Sequence, residues 1–162
     1  MKTRNLLLIA IITLLTYSAS AQKENFTLKI GTGLSSFSDS KAGKSTFGLG
    51  ADVLVRTSFS DKVQGFAQTG YNAFINNGFN VAYIPMLVGV NLKVNGFTPG
   101  IGLGYASSTA GGSTIGGFTV SPQVGYQINK LELLANFNST NVTSSGAGTW
   151  NIFGVKVFYK IN

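Results

Sequence analysis

The chain has 162 residues, with 21 Gly, 12 Phe and 6 Tyr but no Cys and no His, and 10% of it is charged, against roughly 25% in ordinary soluble domains. The net charge of +7 is spread over single basic residues, which argues against the clustered basic face of a nucleic-acid-binding protein. Because His and Cys are missing, disulfides, the usual catalytic triads and the best transition-metal ligands are excluded, so we expect no enzyme, cofactor or metal site.

The first 21 residues have the pattern of a bacterial export signal. Lys2 and Arg4 give a positive start, residues 6–15 form an apolar stretch, and residues 19–21 supply a small-residue cleavage site. A membrane-anchoring helix is the alternative, but it would need about 20 consecutive apolar residues. We therefore predict a signal peptide over residues 1–21, cleaved after Ala21, and one domain over residues 22–162.

From residue 26 onward the sequence breaks into segments in which apolar and polar residues alternate, the pattern of β-strands with one apolar face. The first four segments span residues 26–34, 47–57, 63–73 and 82–94. The third is the least regular, because Phe66 falls on its polar side. The fourth is the clearest, with apolar residues at every even position from Ala82 to Val94.

Four further segments follow, over residues 97–105, 118–128, 131–138 and 153–161. Asn95-Gly96 precedes the fifth and is the strongest two-residue hairpin signal that a sequence offers. Asn129-Lys130 marks another tight turn before the seventh. Segments of about 9–11 residues have the length that crosses a bilayer when tilted. The chain therefore predicts eight membrane-length strands.

The connections alternate in length. Those after segments two, four and six are short, at residues 58–62, 95–96 and 129–130. Those after segments one, three, five and seven are predicted to be longer loops rich in Ser, Gly, Asn and Thr, at residues 35–46, 74–80, 107–117 and 139–149. This alternation is typical of an all-β, eight-stranded antiparallel up-and-down transmembrane β-barrel, with periplasmic turns at one end and external loops at the other.

The orientation of the apolar face needs a separate argument. Lipid offers the backbone no hydrogen bonds, so a spanning sheet must close on itself with its apolar face outward. A soluble lipocalin-type barrel has the opposite arrangement, and periodicity does not distinguish the two. Three features favour the membrane: small residues leave room in a narrow lumen, the apolar faces carry no charge, and aromatic residues lie near both ends of the segments.

Two sets of residues follow from this orientation. The polar faces predict a structural cluster of polar side chains in the lumen, comprising Lys29, Asp52, Arg56, Gln64, Gln68, Lys93, Gln123, Glu132 and Lys156. The apolar faces predict two aromatic girdles. The girdle near the long loops comprises Phe47, Tyr71, Tyr105, Phe118 and Phe137, and the girdle near the short turns comprises Phe26, Phe97, Tyr126 and Tyr159.

Asp52 and Glu132 are the acidic residues that fall inside predicted strands, and both face the lumen. An unpaired charge is costly in a narrow, poorly hydrated interior. We therefore expect each to pair with one of the basic lumen residues Lys29, Arg56, Lys93 and Lys156. Neutralisation by water or loop groups is the alternative.

One stretch resembles a known family. Residues 83–90 read YIPMLVGV, and after a turn residues 97–105 read FTPGIGLGY. This pattern, with the closing residues 153–160, resembles the small outer-membrane β-barrel proteins of Bacteroidetes, the PorT-like group. The resemblance implies a barrel in the outer membrane and hardly any specific activity. The chain departs from many such barrels at its end, which is Asn162 rather than an aromatic residue.

Function is therefore expected to be that of a small integral outer-membrane protein with a structural or surface-interaction role and a lumen filled by side chains. A narrow, porin-like pore for small solutes and a soluble secreted barrel that binds an apolar ligand are the alternatives. The expected partners are outer-membrane lipid and, during insertion, the barrel-assembly machinery. We expect a monomer.

Overall fold

The computed structural model describes residues 26–40, 45–76, 79–110, 113–143 and 148–162. The signal peptide predicted over residues 1–21 lies outside these residues. Eight strands account for most of the described chain: β1 Phe26–Asp39, β2 Ser45–Ser58, β3 Val63–Asn76, β4 Phe79–Leu92, β5 Phe97–Ala110, β6 Ser113–Ile128, β7 Leu131–Val142 and β8 Thr149–Lys160. In the described part of the chain, no helix has the length and apolar character needed to cross a membrane.

The strands form one closed barrel in which every neighbour in sequence is an antiparallel neighbour in space. β1 closes the barrel by pairing with β8, so neither terminal strand leaves an open edge. The last residue secures this seam, since the side chain of Asn162 accepts a hydrogen bond from the backbone N–H of Leu28 at 2.8 Å and donates one to the carbonyl of Phe26. The predicted eight-stranded up-and-down barrel is confirmed.

The register fixes the stagger of the strands. Following paired residues once around the barrel from Leu28 leads to Ser38, ten residues further along β1. The intermediate partners are Val55, Ala67, Val88, Leu103, Val120, Ser139 and Asn151. Such a stagger requires strands that are tilted to the barrel axis, typically by about 35–45°. Eight strands then enclose an interior that side chains can fill.

Two of the connections at one end are tight turns at the predicted positions. Val94 and Phe97 exchange both backbone hydrogen bonds at 2.9 Å across Asn95 and Gly96. Asn95 has φ 49° and Gly96 φ 88°, the left-handed conformations that a two-residue hairpin turn of type I′ requires. Asn129 takes φ 55° in the second tight turn, between β6 and β7. We call this end of the barrel, which also holds the start of β1 and the end of β8, the basal end.

The strands are longer than the sequence predicted, at 12 to 16 residues rather than about 9–11. The prediction of long loops at residues 74–80 and 107–117 is wrong, because two residues separate β3 from β4 and two separate β5 from β6. Much of the loops predicted at residues 35–46 and 139–149 is strand as well. The cause is a reversal in the side-chain pattern, described below, at the end opposite the basal end, which we call the outer end.

Candidate functional site

The outer surface of the barrel carries a continuous apolar band. On β8, for example, Phe153, Val155 and Val157 are exposed while the alternate residues Gly154 and Lys156 are buried. Mid-height on β1, β2 and β4 to β7, the outward side chains are apolar and about half exposed: Ile30, Val53, Met86, Val88, Ile101, Leu103, Val124 and Leu133. On β3 the corresponding outward positions hold Ala67 and Thr69. Within the described strands, no outward position of this band holds a charged residue. Apolar groups on this surface face away from the lumen.

Aromatic side chains border the band at both ends. All nine residues of the two predicted girdles point outward with exposed fractions between 36% and 77%. Two further outward aromatic residues that the sequence analysis missed, Phe59 and Phe153, join them. At the basal end the rings of Phe97 and Tyr126 pack with centroids 4.7 Å apart, and Lys130 Nζ lies 6.0 Å from the ring centroid of Tyr159. Aromatic and cationic groups in this position suit a lipid–water interface.

The polarity of the two faces is reversed at the outer end. There the lumen holds an apolar cluster, the outer cluster, formed by Phe37, Phe74, Val81, Tyr83, Ala106, Val142, Trp150 and Ile152. On β1 and β8 the neighbours that face outward at this height are polar, as Ser36 and Ser38 beside Phe37 and Asn151 beside Ile152 show, whereas on β3 Ile75 beside Phe74 is exposed and apolar. On β1 and β8 the wall beyond the apolar band therefore has the polarity of a water-soluble barrel, with apolar residues inside and polar residues outside. The strands continue into residues where the inward positions become apolar. A rule that expects polar inward positions along the whole strand predicts that the strands end there.

The lumen below the outer cluster is layered. On four strands, three successive inward positions near the basal end are polar, then apolar, then polar again. The first layer holds Arg56, Gln64, Glu132 and Lys160; the second holds Leu54, Phe66, Leu134 and Phe158; the third holds Asp52, Gln68, Asn136 and Lys156. With Leu87, the second layer forms a buried apolar cluster, which we call the middle cluster. The expectation of a lumen filled by polar side chains therefore needs correction, since these large apolar residues divide it.

Asp52 pairs with Lys156 in the third layer. Nζ of Lys156 donates to Oδ1 of Asp52 at 2.6 Å, and both side chains are buried. Gln68 Nε2 donates to the same carboxylate oxygen at 3.4 Å. A Cβ at Gly70 would overlap this oxygen, so the glycine provides the space that the carboxylate occupies.

Glu132 is the shared partner of two cations in the first layer. Lys29 Nζ donates to Oε2 of Glu132 at 2.6 Å, and Arg56 Nη2 lies 2.6 Å from Oε1 in ion-pair contact. The Thr98 hydroxyl donates to Oε1 at 3.1 Å, and a Cβ at Gly125 would overlap both oxygens of that contact. The predicted pairing of the two acidic strand residues with basic lumen residues is confirmed.

The other members of the predicted lumen set occupy different places. Lys93 is half-buried at the basal end and donates to the hydroxyl of Ser58 at 2.9 Å rather than to a carboxylate. Gln64 is half-buried nearby and donates to the same hydroxyl at 3.3 Å. Gln123 is buried in the lumen, and its side-chain amide has no hydrogen-bond partner among the described residues. The set therefore forms separate groups at different heights.

A cavity of ≈ 400 Å³ lies at the basal end, and we call it the basal chamber. Its lining includes Lys29, Arg56, Lys93 and Lys160, together with hydroxyl and amide side chains such as Ser58 and Gln127. Turn residues Gly96 and Asn129 also line it, so it lies at the mouth of the barrel. The middle cluster occupies the next inward positions and closes the chamber toward the outer end.

A closed eight-stranded antiparallel barrel with an apolar outer wall and a packed lumen has the architecture of small outer-membrane β-barrels. The chain is similar in structure to Ail, the attachment invasion locus protein of Yersinia pestis, with a TM-score of 0.65 at 11% identity over 85% of this chain and 98% of that one. Neisserial surface protein A (NspA) gives 0.58 at 14% identity, covering 84% and 97%. The N-terminal barrel domain of Pseudomonas aeruginosa OprF gives 0.58 at 11%, covering 85% and 98%. No protein-family model and no curated protein sequence matches the chain.

Proposed function

We propose that this chain is a small integral protein of the bacterial outer membrane with a structural or surface-interaction role. The outward apolar band carries the proposal. Among the described residues, thirty-one large apolar side chains are exposed, and they encircle the barrel. Soluble monomers rarely expose apolar patches larger than a few hundred Å². Exposing such a band to water would cost free energy, and contact with lipid removes that cost. The aromatic residues at both edges of the band suit the two lipid–water interfaces.

The polarity reversal supports a role outside the cell. In outer-membrane barrels both ends of the chain face the periplasm, and here β1 begins and β8 ends at the basal end, so the outer end would face the exterior. On β8 the apolar band ends at Phe153, and the strand begins at Thr149, which at about 3.3 Å per residue places the strand tip on the order of 10 Å beyond the band. Outward polar residues such as Ser36 and Asn151 would there be in water. The connections between strands would thus be held clear of the membrane surface.

Heat-modifiability of the protein in the membrane fraction tests the proposal. A folded membrane barrel often migrates faster on a gel before boiling than after it. We expect the protein in the membrane fraction, with this shift. Recovery in a detergent-free soluble fraction would instead support the secreted barrel that binds an apolar ligand, and would contradict the proposal.

The lumen argues against a solute pore. It contains three completely buried aromatic side chains, Phe74, Tyr83 and Phe158. The side chain of Lys156 is buried in the layer between the outer cluster and the middle cluster. Open aqueous channels usually need about sixteen strands. We expect purified protein to give no conductance steps in planar bilayers; steady unitary conductance would replace the structural role with that of a narrow facilitator.

Three narrower proposals accompany this one. Residues 1–21 direct export and are removed, so the mature protein begins at Gln22, which N-terminal sequencing of the membrane-bound form tests. The barrel-assembly machinery inserts the chain, which acts as a monomer in lipid. Membership of the PorT-like Bacteroidetes barrels is supported by residues 83–90 and 97–105 alone. An alignment of PorT-like sequences that matches this chain without gaps over β4 and β5 would support it, and the lack of such a match would contradict it.

A further inference from the structure

The basal chamber has an excess of positive charge. Four cationic side chains, Lys29, Arg56, Lys93 and Lys160, line it. Glu132, which contacts Lys29 and Arg56, is the carboxylate that faces them. The chamber thus holds three more positive than negative charges. The turns at the same end hold three further charged residues that do not line the chamber: Asp61 and Lys62 between β2 and β3, and Lys130 between β6 and β7.

Arg56 is incompletely satisfied within this charged group. It is 2% exposed, and its Nε forms no hydrogen bond with any described residue. Its Nη2 contacts Glu132 without the angle of a hydrogen bond. A buried donor without an acceptor is destabilising, and more so when the group is charged. A guanidinium that still has an unpaired donor can donate to a further oxyanion oxygen beside the carboxylate that it already contacts.

The surroundings of Arg56 are those of a binding pocket. The chamber volume of ≈ 400 Å³ falls in the range of small-molecule sites, about 300–1,000 Å³. The middle cluster closes it on the inner side, so an ion that enters has no path through the barrel. Hydroxyl and amide groups of Ser58 and Gln127 stand beside the cations and can complete the hydrogen bonds of a bound anion.

The geometry points to a binding site for a phosphate-class oxyanion in the basal chamber, with Arg56, Lys93 and Lys160 as its cationic ligands. A carboxylate carries one charge, whereas a phosphate or pyrophosphate group carries several and presents oxygens in several directions. The three uncompensated positive charges and the dispersed donors suit a phosphate or pyrophosphate group better than a carboxylate. The proposal concerns the chamber itself and goes beyond the role proposed above.

Titration calorimetry with inorganic pyrophosphate on the refolded protein in nonionic detergent tests the site. The variant Lys93→Gln/Lys160→Gln removes two chamber charges and leaves the contacts of Glu132 in place. The matched control, Lys62→Gln/Lys130→Gln, removes two charges from the turns at the same end. We expect saturable binding by the wild type, weakened at least tenfold in the chamber variant and less than about twofold in the control, because salt screens charges beyond about 10 Å.

Several results would overturn the site. These are the absence of saturable binding by the wild type, equal loss in the chamber variant and the control, or binding of acetate as tight as that of pyrophosphate. If the double variant does not show the folded gel band, Lys93→Gln alone serves, with an expected loss of about threefold; no loss would contradict the proposal.

A second pair of measurements distinguishes two sources of the phosphate group, a lipid headgroup and a free phosphorylated solute. Pyrophosphate is titrated into protein in nanodiscs of phosphatidylcholine, with and without phosphatidylglycerol. At a salt concentration that screens the surface charge of the membrane, weaker apparent affinity in the presence of the anionic lipid would identify a headgroup phosphate as the occupant. Unchanged affinity would identify a free phosphorylated solute. Either result supports the phosphate-class site, and loss of binding in both membranes overturns it.

Discussion

Lys156 of β8 and Asp52 of β2 form an ion pair of 2.6 Å in the lumen, although β1 lies between their strands in the wall. Both side chains are buried above the middle cluster, where water has little access. The pair therefore links two strands that share no backbone hydrogen bonds. Each charge depends on the other for its neutralisation.

Asp52→Asn should destabilise the barrel by about 3–5 kcal/mol, because the ammonium group of Lys156 then remains buried without a counter-charge. Denaturant unfolding of the refolded protein measures this change. The control is Asp52→Asn/Lys156→Met, which removes both charges and should recover most of the loss. Equal stability of the single and double variants would show that the pair does not neutralise a buried charge.

Gly125→Ala should cost about 1–3 kcal/mol by overpacking the first lumen layer. The added methyl group would overlap Glu132 Oε1 and the hydroxyl of Thr98, which themselves form a hydrogen bond. Gly102→Ala is the matched control in the same lumen, since its methyl group would approach no atom closer than the tip of the Phe66 ring, at 2.9 Å. Denaturant unfolding should give Gly125→Ala a clearly lower free energy of unfolding than Gly102→Ala. The reverse order would contradict the packing described for Glu132.

A lysine on the outer wall should report the height at which it is placed. Val88→Lys puts a charge in the middle of the apolar band and should cost about 2–4 kcal/mol in lipid. Ser107→Lys, on the neighbouring strand β5 but above the band, should cost about 0–1 kcal/mol. Stability in lipid vesicles measures both. Similar costs at the two positions would mean that the band does not face hydrocarbon.

Trp150→Ala should cost about 3–5 kcal/mol, because it opens a cavity in the outer cluster. The side chain is 5% exposed, and its ring lies 6.1 Å from that of Phe37. Asn151→Ala changes the next residue, which faces outward, and should alter the stability by no more than about 0.5 kcal/mol. A loss below 1 kcal/mol for Trp150→Ala would show that the outer end is not a packed core.

The sequence was sufficient for the topology because alternation and turn chemistry are local signals. The pattern from Ala82 to Val94, followed by Asn95-Gly96, specified β4, its turn and the start of β5. The outward positions of the girdles followed from the same alternation. These features depend on neighbours within a few residues, which is the range over which a sequence can be interpreted directly.

The wall at the outer end could not be predicted in the same way. Phe37, Trp150 and Ile152 are apolar at positions where the membrane segments carry lumen-facing polar residues. Interpreted with one rule for the whole strand, they indicate that the strand has ended. A change of solvent from lipid to water along a strand reverses which face is apolar, and apolar residues in the opposite phase, flanked by Ser and Asn, were the signal for it.

The choice of ion-pair partner also depended on the third dimension. Glu132 and Lys29 are 103 residues apart, and the stagger of the barrel decides which lumen positions share a height. Composition indicated that each carboxylate would find a cation. It could not indicate that Lys29 and Arg56 share one carboxylate while Lys93 binds a serine hydroxyl.

The orientation of the wall is tested most directly by tryptophan quenching at two adjacent residues of β8. In a Trp150→Phe background, which removes the single Trp of the chain, Val157→Trp places the indole on the 47%-exposed outer face and Phe158→Trp places it in the lumen at nearly the same height. In vesicles of brominated phosphatidylcholine, the indole at 157 should be quenched strongly and the indole at 158 weakly. Strong quenching at 158 with little at 157 would show that the apolar side chains line the cavity and do not contact the lipid.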